Sequence, residues 1–97
     1  MSDFPPVHPG EVLIGDFLKP LGLSQKVLAK ALCISQTHIS DVVNGRRAIS
    51  AETALRLSRY FGTTAEFWIG MQATYELELA RDHYPHIIDA EVKPCIA

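Results

Sequence analysis

The amino-acid sequence predicts an all-α protein, a compact five-helix bundle that residues 1–97 form as a single domain. Apolar residues recur at helical spacing between the serine, threonine, proline and glycine residues that begin and end helices. The predicted connections are short, which is typical of small helical bundles. No segment alternates apolar and polar residues as a β-strand does, and 97 residues suffice for one modest core.

The first two helices are predicted from their ends. Pro9 suits the first turn of a helix, and Pro20 and Gly22 end that helix. Its apolar residues follow an i, i+1, i+5, i+6 pattern at Val12, Leu13, Phe17 and Leu18. Ser24 is a natural N-cap for a short second helix, because its hydroxyl can accept from a free backbone amide. The inward face of that helix consists of Val27, Leu28, Ala31 and Leu32.

Two further helices follow the same logic. Ser35 caps the third, and the pair Asn44-Gly45 ends it. Its apolar residues are Ile39, Val42 and Val43. Ser50 caps the fourth helix, and Gly62 is its C-terminal stop. The apolar residues of the fourth helix are Ala54, Leu55, Leu57 and Phe61.

The fifth helix is predicted to begin at a capping box formed by Thr63 and Glu66 and to run to about Asp82. Pro85 marks its end. Residues 86–97 show no clear period, so a docked extended tail and a frayed end both fit them.

The charge is unevenly distributed, although the net charge is only −2. Residues 24–60 contain six basic and two acidic residues, a net charge of +4. Residues 61–97 contain two basic and six acidic residues, a net charge of −4, and residues 1–23 carry the remaining −2. A basic centre between acidic ends suits one face that meets phosphate and another that meets a different partner.

The composition excludes several classes of protein. With 47% hydrophobic and 21% charged residues, the chain is globular and not disordered, and no run is long enough for a membrane span. The segment MSDFPPVHPG lacks the basic and apolar regions of a secretion signal. Cys33 and Cys95 have no motif spacing, so we expect a protein of the reducing cytoplasm without a disulfide framework.

The second and third predicted helices have the spacing of a helix-turn-helix, in which the second helix of the motif enters the DNA major groove. Small Ala29 lies where the two helices cross, and Ile39 and Val42 fill the space between them. The opposite face of the recognition helix carries short polar side chains, namely Gln36, Thr37, Ser40 and Asp41. Such a face, without long charged residues, is suited to reading base edges.

The run SQKVLAKALCISQTHISDVVNGRRAIS resembles the Cro and lambda-repressor-type helix-turn-helix family, also called xenobiotic-response-element-like regulators. The segments HPGEVLIGDFLKPLGLSQ and NGRRAISAETALRLSRYFGTTAEFWIGMQATYEL narrow the resemblance to HigA-type antitoxins, the DNA-binding partners of HigB-type ribonuclease toxins. The resemblance covers about residues 8–80. It implies a lambda-repressor-like fold and a dimer that binds a palindromic operator in double-stranded DNA.

The resemblance also implies roles for individual residues. Base contacts are expected from Gln36, Thr37, Ser40 and Asp41, and phosphate contacts from Gln25, Asn44, Arg46 and Arg47. Gln36 is suited to a bidentate contact with adenine. For Asp41 two interpretations stay open, a bond from cytosine N4 or an ion pair with a neighbouring arginine. Arg56 and Arg59 fit a solvated face of the fourth helix better than a DNA contact.

One position departs from the family pattern. The turn between the two motif helices usually contains glycine, because the backbone there has a positive φ, but this chain has Cys33. A single non-glycine residue in that conformation costs on the order of 1 kcal/mol, which a fold can tolerate.

The fifth helix is more apolar than so small a domain can cover, which favours homodimerisation. The residues expected at the dimer contact are Phe67, Trp68, Met71, Tyr75 and Leu79. We therefore expect residues 8–62 to form a four-helix DNA-binding core, residues 63–84 a dimerising fifth helix and residues 85–97 a tail.

Enzymatic and metal-binding interpretations have little support. His83 and His86 lie near Asp82 and Cys95, but Pro85 separates the two histidines and no C-x-x-C motif accompanies them, so no metal or other cofactor is expected. No arrangement of catalytic side chains stands out. His38 lies within the recognition helix and is left without a role.

Taken with the resemblance, the sequence favours a cytoplasmic repressor that also neutralises a HigB-type toxin. Ribonuclease toxins are commonly basic, and the acidic ends of this chain would attract one. A stand-alone regulator without a toxin partner is the alternative within the same class. A metal-dependent enzyme or small-molecule sensor that uses His83 and His86 is the alternative from another class.

Overall fold

A computed structural model describes residues 5–84 and 86–95, and these residues form helices with no strand among them. The six helices are α1 (residues 9–21), α2 (Gln25–Leu32), α3 (Gln36–Val43), α4 (Ala51–Phe61), α5 (Ala65–His83) and α6 (Ile87–Glu91). The predicted all-α class is confirmed. The five predicted helices are all present, and the sixth lies in the segment that was predicted as a tail.

Helix α1 contains a π-helical segment, Leu13–Leu18, between the α-helical segments Pro9–Val12 and Lys19–Leu21. The Lys19 amide donates to the Ile14 carbonyl oxygen, five residues earlier. A π-helix brings residues five apart onto one face. This explains the unusual i, i+5 spacing of apolar residues in the sequence, and its two buried members are Leu13 and Leu18.

The three serine N-caps are confirmed. Each hydroxyl oxygen accepts a hydrogen bond from the backbone amide three residues later, which satisfies a donor at the start of the helix. The distances are 3.1 Å for Ser24, 3.1 Å for Ser35 and 3.3 Å for Ser50.

The predicted capping box of Thr63 and Glu66 is wrong by one residue. Thr64 is the N-cap of α5, and its Oγ1 accepts from the Phe67 amide at 3.1 Å. Thr63 has another role, since its Oγ1 accepts a 2.8 Å hydrogen bond from Nε1 of the buried Trp68. Two adjacent threonines are equally good caps, and the indole partner decides between them.

The end of α5 lies at His83, next to the predicted Asp82. Pro85, which was predicted to end this helix, lies outside the described residues. Beyond it, α6 (Ile87–Glu91) is exposed along its length. The prediction of an extended or frayed tail therefore misses a helix of five residues, which is too short to produce a helical period in the sequence.

One hydrophobic core unites the first five helices. Its buried members are Leu13, Leu18, Leu28, Ala29, Leu32, Ile39, Val42, Ile49, Ala54, Leu57 and Trp68. Trp68 is the largest of them and is completely buried, with its ring centroid 5.1 Å from that of Phe17 in α1. The first half of α5 is thus part of the same core as the helix-turn-helix.

The N-terminus of α1 packs closely against the end of α3. The Nδ1 atom of buried His8 accepts a 2.9 Å hydrogen bond from the Gly10 amide, and Glu11 accepts from the His8 amide. A Cβ atom on Gly10 would lie 2.0 Å from the carbonyl oxygen of Val42. Only glycine therefore allows α1 to approach α3 this closely.

A second contact joins the loop after α3 to helix α5. Gln72 is buried, and its Oε1 accepts a 2.9 Å hydrogen bond from the backbone amide of Ile49. An unpaired buried amide costs about 1–3 kcal/mol, so this side chain stabilises the loop conformation. The loop therefore has a fixed position relative to the core.

We expect Gly10→Ala to lower the free energy of unfolding by about 3 kcal/mol, because the new Cβ overlaps the Val42 carbonyl and α1 must move. Gly15→Ala is the matched control, since a Cβ there meets no atom within 4 Å. Urea denaturation followed by circular dichroism measures both. Equal stability of the two variants would contradict the close approach.

Candidate nucleic-acid interface

Helices α2 and α3 form a helix-turn-helix joined by residues 33–35. Cys33 has a φ of 58° and a ψ of 40°, which confirms the positive φ expected at this position. The Ile34 amide donates to the Ala29 carbonyl oxygen at 3.0 Å and closes the end of α2. The cysteine is thus accommodated in a backbone conformation that usually has glycine.

The recognition helix α3 is anchored by its inner face. Ile39 and Val42 are buried there, and small Ala29 is buried on the facing side of α2. Gln36 and Thr37, in the first turn of α3, are exposed. The predicted division of this helix into an apolar inner face and a polar outer face is therefore present.

Ser40 and Asn44 lie one turn apart at the end of the recognition helix. The Nδ2 atom of Asn44 donates to the backbone oxygen of Ser40 at 2.8 Å and approaches its Oγ at 3.3 Å. Ser40 is half-buried and Asn44 is exposed. Asn44 therefore holds the C-terminal turn of the helix, and its expected phosphate contact stays a prediction.

Asp41 pairs with Arg46 in this chain. The Nη2 atom of Arg46 lies 3.3 Å from Oδ1 of Asp41, and the Arg46 amide donates to the Asp41 carbonyl oxygen at 2.8 Å. Of the two interpretations of Asp41, the structure contains the ion pair. A base contact by Asp41 would require it to exchange this partner.

Arg47 lies beside the recognition helix and contacts His38. Its Nη1 atom is 3.0 Å from His38 Nδ1, and His38 Nε2 is 3.3 Å from Oγ1 of the buried Thr53 in α4. His38 thus joins the loop, α3 and α4. Sequence reasoning gave it no role, because the contact spans nine residues and depends on how the loop turns back.

Gln25 begins α2, and Arg56 of α4 contacts its C-terminal end. Gln25 is its first residue and is half-exposed, as a phosphate contact at a helix N-terminus requires. Arg56 differs from the expected solvated residue. Its Nη1 atom donates to the Leu32 carbonyl oxygen at 2.8 Å, and it therefore caps the C-terminus of α2 from α4.

The residues expected at a dimer contact differ in how far they are exposed. Phe67 and Leu79 are exposed, and Met71 and Tyr75 are half-buried. Trp68 is 0% exposed, so the expectation that it meets a second subunit is corrected. It was assigned to that face because its spacing fits the apolar stripe of α5, but its own chain covers it completely.

The described residues contain no group of three or more His, Cys, Asp or Glu side chains placed to hold a metal ion. Both cysteines have free thiols and are exposed. No helix in the described part of the chain has the length and apolarity needed to cross a membrane.

Comparison with known proteins identifies the family. The family model for the helix-turn-helix matches residues 14–68. Antitoxin HigA-1 of Vibrio cholerae is 35% identical over 79 residues, which are 81% of this chain and 74% of that protein. The chain is a helix-turn-helix protein of the HigA antitoxin family. The resemblance found in the sequence is thereby confirmed.

Two other known proteins are more similar to this chain in sequence than HigA-1 is. Virulence-associated protein I of Dichelobacter nodosus is 49% identical over 79 residues, which cover 81% of this chain and 73% of that protein. The structure of Pseudomonas aeruginosa antitoxin HigA with the higBA promoter is 41% identical and has a TM-score of 0.89, with 94% of this chain and 99% of that chain covered. The HigA fold therefore extends over nearly the whole chain.

We expect the stability of this HigA-family protein to fall on acidification. Burial lowers the pKa of His8 from its usual 6.5. Burial, followed by the nearby Arg47 charge, likewise lowers the pKa of His38. The unfolded chain therefore takes up protons at a higher pH than the folded chain, and the free energy of unfolding falls as the pH drops below 6.5.

Urea denaturation at about pH 7.5 and about pH 5.5 measures this effect. His8→Asn is the control, because asparagine is a good N-cap that does not titrate, and its stability should change less between the two pH values. A wild-type protein that is equally stable at both pH values would contradict the two lowered pKa values.

Proposed function

We propose that this chain is a DNA-binding repressor that also acts as the antitoxin of a type II toxin–antitoxin system. The observation that carries the proposal is the recognition helix α3, whose apolar face is held in the core while its polar face is free. The Pseudomonas aeruginosa HigA structure, which contains the higBA promoter, supports the same role for this chain. We infer that the target is the operator of its own gene.

Base readout is assigned to the outer face of the recognition helix. Gln36 and Thr37 lie at its N-terminal end and reach furthest into a major groove, and Ser40 follows one turn later. The amide of Gln36 presents a donor and an acceptor, which match N7 and N6 of adenine. Asp41 is also assigned to base contact, which requires that its ion pair with Arg46 break on DNA binding.

Phosphate binding is assigned to the residues that flank this helix. They are Gln25 at the start of α2 and Asn44, Arg46 and Arg47 after α3. Residues 24–60 have a net charge of +4, so attraction to the DNA backbone brings α3 to the groove.

Dimer formation is assigned to helix α5. Phe67 is 41% exposed and Leu79 is 42% exposed, and a second subunit would cover them. Two chains related by a two-fold axis present two recognition helices, which suits a palindromic operator with half-sites about one helical turn apart.

Toxin neutralisation is assigned to the acidic part of the chain. Residues 61–97 have a net charge of −4, and Glu66, Glu76 and Asp82 are exposed along α5. Such a surface would attract a basic HigB-type ribonuclease. The protein would act in the cytoplasm, by binding and not by catalysis.

DNA binding is tested with the duplex upstream of the chain's own reading frame. We expect nanomolar-range affinity that falls between about 50 and about 200 mM salt, and a preference over a scrambled duplex. Gln36→Ala combined with Thr37→Ala should lose roughly 1–3 kcal/mol of that preference and keep weak nonspecific binding. If the wild-type protein shows no preference for its upstream DNA, the proposed repressor function is refuted.

Dimerisation is tested by sedimentation of the wild type and of Leu79→Glu. A charge within the subunit contact should shift the variant to monomer, because an unpaired charge is costly to bury. Leu55→Glu is the control, since Leu55 is also exposed but lies on α4. If the wild type, Leu79→Glu and Leu55→Glu all sediment as monomers, the assignment of dimerisation to α5 is wrong.

Toxin binding is tested by co-purification with the protein encoded beside this chain. A stable complex in which the ribonuclease activity of that neighbouring protein is inhibited supports the proposed antitoxin function. If the DNA test succeeds and no neighbouring protein binds, the chain is a stand-alone regulator.

A further inference from the structure

Arginines 46 and 47 follow each other in the chain, but their guanidinium groups have different partners. Arg46 forms an ion pair with Asp41, with Nη2 3.3 Å from Oδ1. Arg47 instead contacts His38, with Nη1 3.0 Å from Nδ1 of the imidazole. An acidic partner offsets the charge of the first arginine, whereas a neutral imidazole would leave the charge of the second intact.

The geometry fixes the protonation of His38. A guanidinium has only donors, so Nδ1 of His38 must accept and carries no proton. In a neutral ring the proton is then on Nε2, which donates to Oγ1 of Thr53 at 3.3 Å. Thr53 is buried and also accepts from the hydroxyl of Ser50 at 3.2 Å. The imidazole is therefore held from the core side, with its free lone pair toward Arg47.

The charged groups around the ring favour this state. Besides Arg47, Asp41 and Glu52 act on His38 through their charges. Burial and then the Arg47 charge lower the pKa of His38, and together they outweigh the two carboxylates. The imidazole is therefore neutral near pH 7.

The backbone of Arg47 is fixed independently of its side chain. Its amide donates to the Asp41 carbonyl oxygen at 3.2 Å. The main chain is thus anchored to α3. What remains free is the direction of the long arginine side chain, and the contact with His38 restricts it.

We propose that His38 is a positioning residue for DNA binding, which holds the guanidinium of Arg47 beside the recognition helix without neutralising it. The proposal rests on the DNA-binding function proposed above. In the complex, one N–H group of Arg47 stays on His38 and the others donate to a backbone phosphate. Pre-orientation lowers the entropy cost of ordering a long, exposed side chain.

A double-mutant cycle on operator affinity tests this coupling. Arg47→Ala should weaken binding to the upstream duplex about tenfold, because a charged phosphate contact is lost. His38→Ala should weaken binding about fivefold, through the loss of one hydrogen bond. The double variant should bind like Arg47→Ala alone, since His38 acts only through Arg47. Effects of the two single variants that multiply in the double variant would overturn the proposal.

His38→Gln provides the conservative control. Its amide can accept from Arg47 and donate to Thr53, so affinity near pH 7 should stay within about twofold of the wild type. The pH profile separates positioning from a purely structural role. Between about pH 7.5 and about pH 5.5 the affinity of the wild type should change differently from that of His38→Gln, because protonated His38 cannot accept from Arg47, whereas glutamine still can.

The same data distinguish the two proposals. A wild-type protein that does not prefer the upstream duplex refutes the DNA-binding function itself. A wild type that binds this duplex, but whose affinity changes with pH in the same way as that of His38→Gln, overturns only the role of His38. Circular dichroism of each variant establishes that it is folded before its affinity is compared.

Discussion

Helix α1 crosses the end of the recognition helix so closely that a Cβ on Gly10 would lie 2.0 Å from the Val42 carbonyl oxygen. The rest of the interface depends on this approach. His8 caps α1, and its ring lies beside Gly45 in the loop after α3. The N-terminal end of α1 therefore contacts both the helix that would read bases and the start of the loop that would hold phosphates.

The described interface combines a rigid frame with side chains that are free to bind. Core packing fixes α3 through Ile39 and Val42, while Gln72 fixes the following loop through the Ile49 amide. On the outside, Gln36 and Thr37 have no such restraint from packing. This division is physically reasonable, because a preorganised backbone lowers the entropy cost of recognition while short polar side chains still adjust to a base edge.

The fold was largely predictable, since caps and apolar spacing are local signals. The serine caps are an example, whereas the positive φ of Cys33 was expected only from the family resemblance. The predictions that were wrong have a common cause, because contacts between residues far apart in the chain determine these features. The choice of Thr64 over Thr63 as N-cap depends on the indole of Trp68, and the burial of that indole removed it from the expected dimer face. The partners of the loop arginines likewise depend on a turn that no local pattern specifies.

The π-helical segment Leu13–Leu18 sets the rotational phase of α1. A π-bulge is equivalent to one extra residue within an α-helix. The six π-helical residues turn through about the same angle as five α-helical residues, so the segment holds one residue more without changing that phase. Regular α-helical winding of the same residues would rotate everything before them by about 100° relative to the rest of the helix, and Gly10 would no longer face Val42. The contact between α1 and the recognition helix therefore depends on the local winding of Leu13–Leu18, several residues away from the contact itself.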